Sequence, residues 1–390
     1  MKEARIGIIG CGVISNAYLN NINKYFHQIK VVACADLFPE KAKETASKYN
    51  IPDTYSVDEI LAAKDVDIIL NLTIPASHYD INKRALSAGK YVYCEKPLAL
   101  NMEEVEELQE LASEKGLLIG CAPDTFLGSA LQTCRKLIDD GWIGKPVAAT
   151  ANMISHGTET WHPSPDFYYK KGAGPMMDMG PYYITALVSL LGPVTSTGCF
   201  NSKAFTERTI YSKPRHGEKI AVEVPTQYCG IMRFEQGAIA NINMSFDIWL
   251  SNLPKLEIYG TEGTMVLPDP NHFSGDIKVI RSESLIDEID GLDNNEAMGK
   301  LSRPEMWNKF RSIPHVFRQP DSNMRGLGLA DMAAAIANGR TPRANGELAG
   351  HVTEVMLSFD NPSGEGIRHM KSTCSRPVPM RVGGFVGDFE

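Results

Sequence analysis

The sequence has no closely spaced cysteines, no cluster of basic residues and no long apolar run. Its eight cysteines are scattered singly through 390 residues, without the spacing of a zinc site or a disulfide framework. No apolar run approaches the roughly 20 residues that cross a bilayer. Lys and Arg number 39 against 47 Asp and Glu, so no basic patch is available to neutralise phosphates. We therefore expect reduced thiols, no metal site, and neither a membrane nor a nucleic acid as a partner.

We expect no secretory signal, because an apolar strand pattern begins at residue 5 and leaves no room for one. We expect a cytoplasmic protein on that basis. The length of 390 residues exceeds what one hydrophobic core normally supports, which predicts two domains. Hydrophobic residues make up 43% and charged residues 22%, both typical of a globular protein.

Residues 1–122 are predicted to form a Rossmann domain, an α/β fold with a doubly wound parallel sheet. Short apolar runs alternate with amphipathic stretches, as strands and helices do in such sheets. Residues 40–49 and 102–115 have apolar residues at helical spacing, and Asn101 is a candidate N-cap. The predicted strands cover residues 5–9, 29–35, 68–72, 91–94 and 117–121.

Residues 123–390 are predicted to form a C-terminal α+β domain with a large, mostly antiparallel sheet. A helix over 131–139 precedes a loop over 155–175 that is rich in glycine, proline and aromatic residues. Apolar segments broken by turns between 198 and 281 indicate the sheet. Residues 282–325 are mostly polar and are predicted to be irregular. Two helical patterns follow, over residues 329–338 and 347–359.

A dinucleotide-binding motif follows the first strand, as Gly10-Cys11-Gly12-Val13-Ile14-Ser15, with Ser15 in place of the third glycine. Gly10 permits the tight turn, Gly12 lets the backbone approach a pyrophosphate, and the helix N-terminus attracts phosphate. Asp36 lies 24 residues beyond Gly12, where a carboxylate binds both ribose hydroxyls of NAD and repels the extra phosphate of NADP. The motif predicts NAD as cofactor, with NADP disfavoured, and contacts from Gly10, Gly12, Val13, Ile14 and Asp36.

Two further segments carry candidate catalytic groups. Lys96 follows the strand over 91–94, at the sheet edge where doubly wound folds bind ligands. Asp178 and Tyr182 lie four residues apart after a glycine-rich stretch and would share one helix face. Oxidation of an alcohol removes a proton as well as a hydride, and free tyrosine is a poor base at neutral pH. Positive charge from Lys96 and from the oxidised nicotinamide would favour the phenolate form of Tyr182.

Taken together with Thr73-Ile74-Pro75, His78 and Glu95-Lys96-Pro97, these motifs resemble the glucose-fructose oxidoreductase and inositol dehydrogenase family, called Gfo/Idh/MocA. The resemblance covers nearly the whole chain. It implies that Lys96 orients the reacting hydroxyl, that Asp178 contacts substrate, and that the protein forms a homodimer or homotetramer through the outer face of its second sheet. Some branches of the family have histidine four residues after the aspartate that corresponds to Asp178, and others have tyrosine. This chain, with Tyr182, resembles the tyrosine branches. The resemblance adds cofactor contacts at Thr73, Pro75, His78, Glu95 and Lys96.

Further candidates for binding a sugar come from two loops. Asp124 and Thr125 would bind sugar hydroxyls. The loop over 155–175 offers His156, Trp161 and His162, which combine aromatic stacking with polar tips. His162 competes with Tyr182 as the catalytic base, because an imidazole titrates near neutral pH without a large shift.

The sequence therefore predicts an NAD-dependent oxidoreductase acting on a secondary ring alcohol of a sugar, glycoside or cyclitol. Oxidation of an aldose at its anomeric carbon and reduction of a keto-sugar or inosose remain alternatives. So do an enzyme that retains NAD for hydrolysis or epimerisation through a keto intermediate, and an NAD-binding regulatory protein without turnover.

Overall fold

The computed structural model describes residues 3–360, 366–383 and 387. Its first part is a six-stranded parallel sheet in the order β3-β2-β1-β4-β5-β6, which confirms the predicted Rossmann fold. The elements are β1 (Ala4–Ile9), α1 (Val13–Tyr25), β2 (Ile29–Ala35), α2 (Pro39–Tyr49), β3 (Asp53–Tyr55), α3 (Val57–Ala62), β4 (Ile68–Asn71), α4 (Pro75–Ser87), β5 (Tyr91–Cys94), α5 (Met102–Lys115) and β6 (Ile119–Cys121).

The register of the central strands places the candidate cofactor residues at one edge of this sheet. Ile9 at the end of β1 pairs with Asn71 at the end of β4, and Asn71 pairs with Cys94 at the end of β5. These strands are almost entirely buried because helices cover both faces of the sheet. The loops that follow β1, β4 and β5 therefore meet at the carboxyl edge.

The second part is a nine-stranded sheet in the order β16-β15-β14-β13-β7-β12-β11-β8-β17. It is mostly antiparallel, as predicted, although β7 and β12 pair in parallel. The elements are α6 (Ser129–Asp139), β7 (Pro146–Ile154), α7 (Gly174–Leu191), β8 (Val194–Ser202), β9 (Glu207–Thr209), β10 (Lys219–Ala221), β11 (Gln227–Phe234), β12 (Ile239–Ser245), β13 (Leu256–Gly260), β14 (Gly263–Leu267), β15 (Ile277–Arg281), α8 (Ser282–Ile289), α9 (Asn294–Leu301), β16 (Arg311–Ile313), α10 (Leu327–Asn338), α11 (Gly346–Phe359) and β17 (Arg368–His369).

Helix α7 is the central helix of the second part. It contacts β7, β11, β12 and α11, and all of its residues are buried except Asp178 and Met179. Strand β11 alternates between buried and exposed residues, so one face of the sheet packs on the helix and the other faces solvent. Helix α7 thereby fixes the position of Asp178 and Tyr182.

The segment over residues 282–325 differs from the prediction. It was expected to be mostly irregular, but it contains α8, α9 and β16. Neither α8 nor α9 has a buried residue, so the apolar periodicity that identifies most helices is weak there. The prediction also omitted β3, α3 and α4.

After the second sheet, the chain returns to the first. Cys121 donates its backbone N–H to Ala344 at 2.9 Å, and Gly120 forms a β-bridge with Asn345. The amide of Asn21 on α1 donates to the carbonyl of Arg325 at 3.0 Å. The segment before α11 therefore pairs with the β6 edge of the Rossmann sheet, and the segment before α10 packs against α1. Within the described part of the chain, no helix is long and apolar enough to cross a membrane.

Replacement of a buried residue of α7 should measure how far this helix stabilises the fold. Leu187 is 0% exposed, so Leu187→Ala should lower the free energy of unfolding by about 2–5 kcal/mol, through lost burial and the cavity left behind. Ile286 on α8 is 54% exposed, and Ile286→Ala should change the free energy of unfolding by less than about 0.5 kcal/mol. Denaturant unfolding measures both, and equal effects would contradict the central role of α7.

Candidate active site

The loop between β1 and α1 has the conformation that a dinucleotide requires. Gly10 has a φ of +102°, and a Cβ there would lie 2.7 Å from the backbone carbon and oxygen of Leu72. A Cβ on Gly12 would meet no atom within 4 Å, so this residue faces open space. No side chain caps the N-terminus of α1, and the Ser15 hydroxyl donates to the Gly12 carbonyl at 2.7 Å. Open backbone beside an uncapped helix N-terminus fits a pyrophosphate.

Asp36 directly follows β2, beside this loop. Its carboxylate accepts one hydrogen bond from the backbone of Cys11 at 2.7 Å and another from the backbone of Phe38 at 2.9 Å. A carboxylate has about four acceptor positions, so both oxygens can still accept from ribose hydroxyls. Sequence reasoning missed two exposed apolar side chains near this edge, Leu37 at 83% and Ile74 at 68% exposure. These two side chains could make apolar contact with the adenine ring of a bound dinucleotide.

His78 lies beneath the cofactor edge, which corrects the expectation that it contacts the cofactor. Its side chain is buried, with Nδ1 2.6 Å from the Pro97 carbonyl and Nε2 3.0 Å from the Thr73 carbonyl. Burial lowers the pKa of His78, although the two carbonyl contacts act in the opposite direction. The imidazole joins the loops after β4 and β5. Thr73 and Pro75 remain at the edge, with Pro75 as the first residue of α4.

Lys96 and Asp178 join the two parts of the chain. The Lys96 ammonium donates to the Asp178 carboxylate at 2.8 Å and to the Asp178 backbone carbonyl at 2.6 Å. Both side chains are about four-fifths buried, at 17% and 22% exposure. Burial, the largest effect, lowers the pKa of Lys96, but its electrostatic interactions, first of all with the Asp178 carboxylate, outweigh burial and the net shift is upward. The lysine is therefore held as an ammonium.

Tyr182 completes this cluster. It is 7% exposed, and the Lys96 ammonium lies 5.3 Å from the centroid of its ring. Its hydroxyl oxygen accepts a hydrogen bond from the Arg325 guanidinium at 3.5 Å. Sequence reasoning missed Arg325, because it lies in a polar stretch far along the chain and carries no motif. The geometry brings together the three predicted side chains and adds a second cation.

Asp124 and Thr125 are not placed to bind a substrate, which corrects the sequence-based expectation. Asp124 is 0% and Thr125 1% exposed. The Asp124 carboxylate accepts from the backbone of Gly326 at 2.9 Å and Gly328 at 3.1 Å, and lies 3.4 Å from Arg325. Burial raises the pKa of Asp124, against the lowering effect of the guanidinium. Asp124 therefore holds the start of α10.

Glu95 has a similar supporting position rather than an exposed one. It is 8% exposed, and one carboxylate oxygen accepts from the Tyr18 hydroxyl at 2.7 Å. The other oxygen accepts from the backbone N–H of Lys96 at 3.1 Å. This side chain orients the backbone that carries Lys96, and its expected cofactor contact is corrected accordingly.

The aromatic loop, residues 155–173, reaches the cluster through Tyr168. Burial and then Asp178 raise the pKa of Tyr168 to about 12, with Lys96 acting in the opposite direction, so its phenol lies in the field of the cluster. The rings of Trp161, Phe167 and Tyr168 surround His162 edge-on, with centroids 5.3–5.5 Å away. Trp161 is 62% exposed, and Nδ1 of His162 accepts from the Ser164 backbone at 3.0 Å.

A buried ion-pair group anchors both ends of this loop. Arg208 is 3% exposed and pairs with Glu159 and Asp247, and it also donates to the His156 carbonyl at 3.0 Å. The hydroxyl of Tyr169 donates to Glu159 as well. His156 stacks on Trp249 with ring centroids 3.4 Å apart. Among the described residues, no group of three or more His, Cys, Asp or Glu side chains could hold a metal ion.

The chain is similar in sequence to known dehydrogenases. The chain is 30% identical to mouse trans-1,2-dihydrobenzene-1,2-diol dehydrogenase over 192 residues, 48% of the chain and 56% of that protein. It is 29% identical to inositol 2-dehydrogenase of Rhizobium meliloti strain 1021 over 195 residues, 50% of the chain and 57% of that protein. The chain thus spans a little over half the length of these two relatives.

A solved structure of levoglucosan dehydrogenase in complex with NADH shares the fold, with a TM-score of 0.77 at 18% identity, over 95% of this chain and all of that one. Residues 4–122 match the model of an oxidoreductase family with an NAD-binding Rossmann fold, and residues 131–266 match the GFO/IDH/MocA C-terminal domain. Given both matches and the motifs at Gly10, Lys96 and Asp178, the chain belongs to the GFO/IDH/MocA family of NAD-binding oxidoreductases.

Proposed function

We propose that this protein catalyses NAD-dependent oxidation of a secondary ring alcohol in a sugar, glycoside or cyclitol. The observation that carries the proposal is the contact of Lys96 with Asp178, beside Tyr182, at the carboxyl edge of the Rossmann sheet. An ammonium, a carboxylate and a phenol in one partly buried site can bind a hydroxyl and accept its proton.

The residues of the carboxyl edge fit NAD. Gly10, Gly12, Val13 and Ile14 would place backbone against the pyrophosphate, and Asp36 would accept from the ribose hydroxyls. The open space at Gly12 supports this assignment, as does the 92% exposure of Val13. Thr73 and Pro75 would line the path toward Lys96. NAD bound in this way supplies the hydride acceptor.

Each member of the cluster then has a distinct role. Two of the three ammonium hydrogens of Lys96 bind Asp178, and the third can donate to the reacting hydroxyl of the substrate. Asp178 orients the lysine and can accept from a neighbouring hydroxyl. Tyr182 accepts the proton that the reacting hydroxyl loses. Trp161, His162 and the stacked His156 would contact the rest of the sugar.

The names of the relatives favour a ring hydroxyl over an anomeric carbon. Trans-1,2-dihydrobenzene-1,2-diol dehydrogenase and inositol 2-dehydrogenase are both named for alcohols on a ring. The structural neighbour is named for levoglucosan, a sugar derivative with ring hydroxyls. Aldose oxidation and keto-sugar reduction would use the same cluster, so a substrate panel followed by NADH absorbance distinguishes them. A regulatory protein without turnover would have no need of the Lys96–Asp178 pair.

Two further assignments belong to this proposal. The exposed face of the second sheet carries apolar side chains such as Phe200 at 75% and Ile231 at 54% exposure, which suits a homodimer or homotetramer interface.

The cysteines are free, Cys11 and Cys34 among them, in keeping with a reducing compartment such as the cytoplasm.

Lys96→Met tests the proposed function directly. Without the ammonium the reacting hydroxyl is neither oriented nor polarised, so kcat should fall by about 100-fold or more, while the Kd for NADH changes less than about threefold. Lys83→Met, which removes an exposed ammonium on α4, is the matched control and should keep both values. Turnover retained by Lys96→Met on every active substrate would refute the proposal.

The two glycines of the loop should respond differently to alanine. Gly10→Ala should destabilise the protein by more than about 1 kcal/mol, because its Cβ would overlap the backbone of Leu72. Gly12→Ala should leave the melting temperature unchanged but weaken NAD binding about tenfold or more, since the new methyl occupies the open space beside the helix N-terminus. Thermal unfolding and titration with NADH measure both. Normal NADH affinity in Gly12→Ala would contradict the pyrophosphate position.

The pH dependence of kcat/KM should separate the two candidate bases. A base works in its deprotonated form, so activity should rise with pH through its titration. Tyr182→Phe should lower kcat/KM by about 10²–10⁴-fold and abolish that rise, whereas His162→Ala should keep it. The reverse pattern would assign the proton transfer to His162.

A further inference from the structure

Arg325 contacts the phenol oxygen of Tyr182, and no motif indicates this from the sequence. It lies directly before α10, is 9% exposed, and reaches the hydroxyl of Tyr182 with one guanidinium nitrogen at 3.5 Å. Its guanidinium carbon is 5.8 Å from the centroid of the tyrosine ring. Lys96, by comparison, directs two of its hydrogens to Asp178.

We propose that Arg325 is a positioning residue that stabilises the phenolate form of Tyr182 and so prepares this side chain to take up the substrate's proton. The inference rests on the proposed function, in which Tyr182 is the proton acceptor. In that step the O–H and C–H bonds at the reacting carbon break and its C=O bond forms. The proton forms a new O–H bond on Tyr182, and NAD⁺, when bound, would take the hydride. A fixed guanidinium beside the phenolate lowers the cost of holding that negative charge in a mostly buried place.

The surroundings of Arg325 keep it charged. Burial, the largest effect, lowers the pKa of Arg325, but its electrostatic interactions with Tyr182 and with the carboxylates of Glu95 and Asp124 raise it, and the net shift is upward. Its contact with the Asp124 carboxylate fixes one side of the guanidinium, and Asp124 is itself held by the Gly326 and Gly328 amides. The guanidinium is therefore anchored as a cation and presents another nitrogen to Tyr182.

Other charged groups act on the same phenol from each neighbouring element. Asp178 lies one turn earlier on α7, Lys96 follows β5, and Tyr168 approaches from the aromatic loop. Asp178 and Lys96 form a pair whose charges largely cancel at a distance. The contact of Arg325 with Asp124 is longer, at 3.4 Å against 2.8 Å for the Lys96–Asp178 pair, and a second guanidinium nitrogen reaches the phenol oxygen itself.

Arg325→Met should move the rising part of the kcat/KM profile to higher pH. At neutral pH we expect a loss of about 10- to 100-fold, with recovery toward the wild-type value as the pH rises, because one cation within 4–6 Å shifts such an equilibrium by about one to three pH units. Arg325→Lys keeps a charge in the same place and should show a smaller shift in the same direction. The Kd for NADH should stay the same.

Two controls separate this role from a structural one. Arg135 is another buried arginine of the second part, bound to the carbonyls of Ser189 and Pro377, and Arg135→Met should leave the pH profile in place. In a Tyr182→Phe background, Arg325→Met should cause little further loss, because the group it acts on is already absent. Circular dichroism and thermal unfolding establish that each variant is folded, and Arg325→Lys carries the test if the Met variant does not fold.

The outcomes distinguish this inference from the function on which it rests. A loss in Arg325→Met that is equal at all pH values, or equally large in the Tyr182→Phe background, would overturn the role assigned to Arg325. An unchanged pH profile in Tyr182→Phe alone would overturn the assignment of Tyr182 as base, whatever Arg325 does.

Discussion

The ion pair between Lys96 and Asp178 is the constraint on which the arrangement of the active site depends. It connects the end of β5 in the Rossmann sheet to the first turns of α7, which is packed on the second sheet. Because both side chains are mostly buried, separating them would leave a charge without a partner in a poorly solvated place, at a cost of several kcal/mol. The pair therefore fixes where the two parts of the chain meet, and the cofactor edge and the candidate base are brought together by the same contact.

Behind this pair, buried side chains support the candidate catalytic groups. Glu95 orients the backbone of Lys96, His78 joins the loops after β4 and β5, and Asp124 holds the start of α10. Each of these polar groups has hydrogen-bond partners, as buried polar groups require. A site built in this way keeps its geometry because the supporting groups have few other positions available to them.

Much of the fold and of the candidate site could be predicted from the sequence, because local sequence patterns determine these features. The alternation of apolar runs with amphipathic stretches predicted the Rossmann fold, and the four-residue spacing predicted that Asp178 and Tyr182 share one face of α7. The burial of Asp124 could not be predicted, since it depends on Gly326, about 200 residues further along the chain. Arg325 was missed for the same reason: its partners are distant in sequence, and periodicity reports only on local neighbours.

Arg208 anchors the aromatic loop from its buried side, so the exposed side chains of this loop are not part of its support. The buried guanidinium ties Glu159 and Asp247 together, while Trp161 and Phe167 extend from the same loop into solvent. The exposed rings can be exchanged without loosening the support beneath them. In the proposed site, a change of substrate preference would then need replacement of only one or two of these surface side chains, with Asp178 and Tyr182 on α7 left in place.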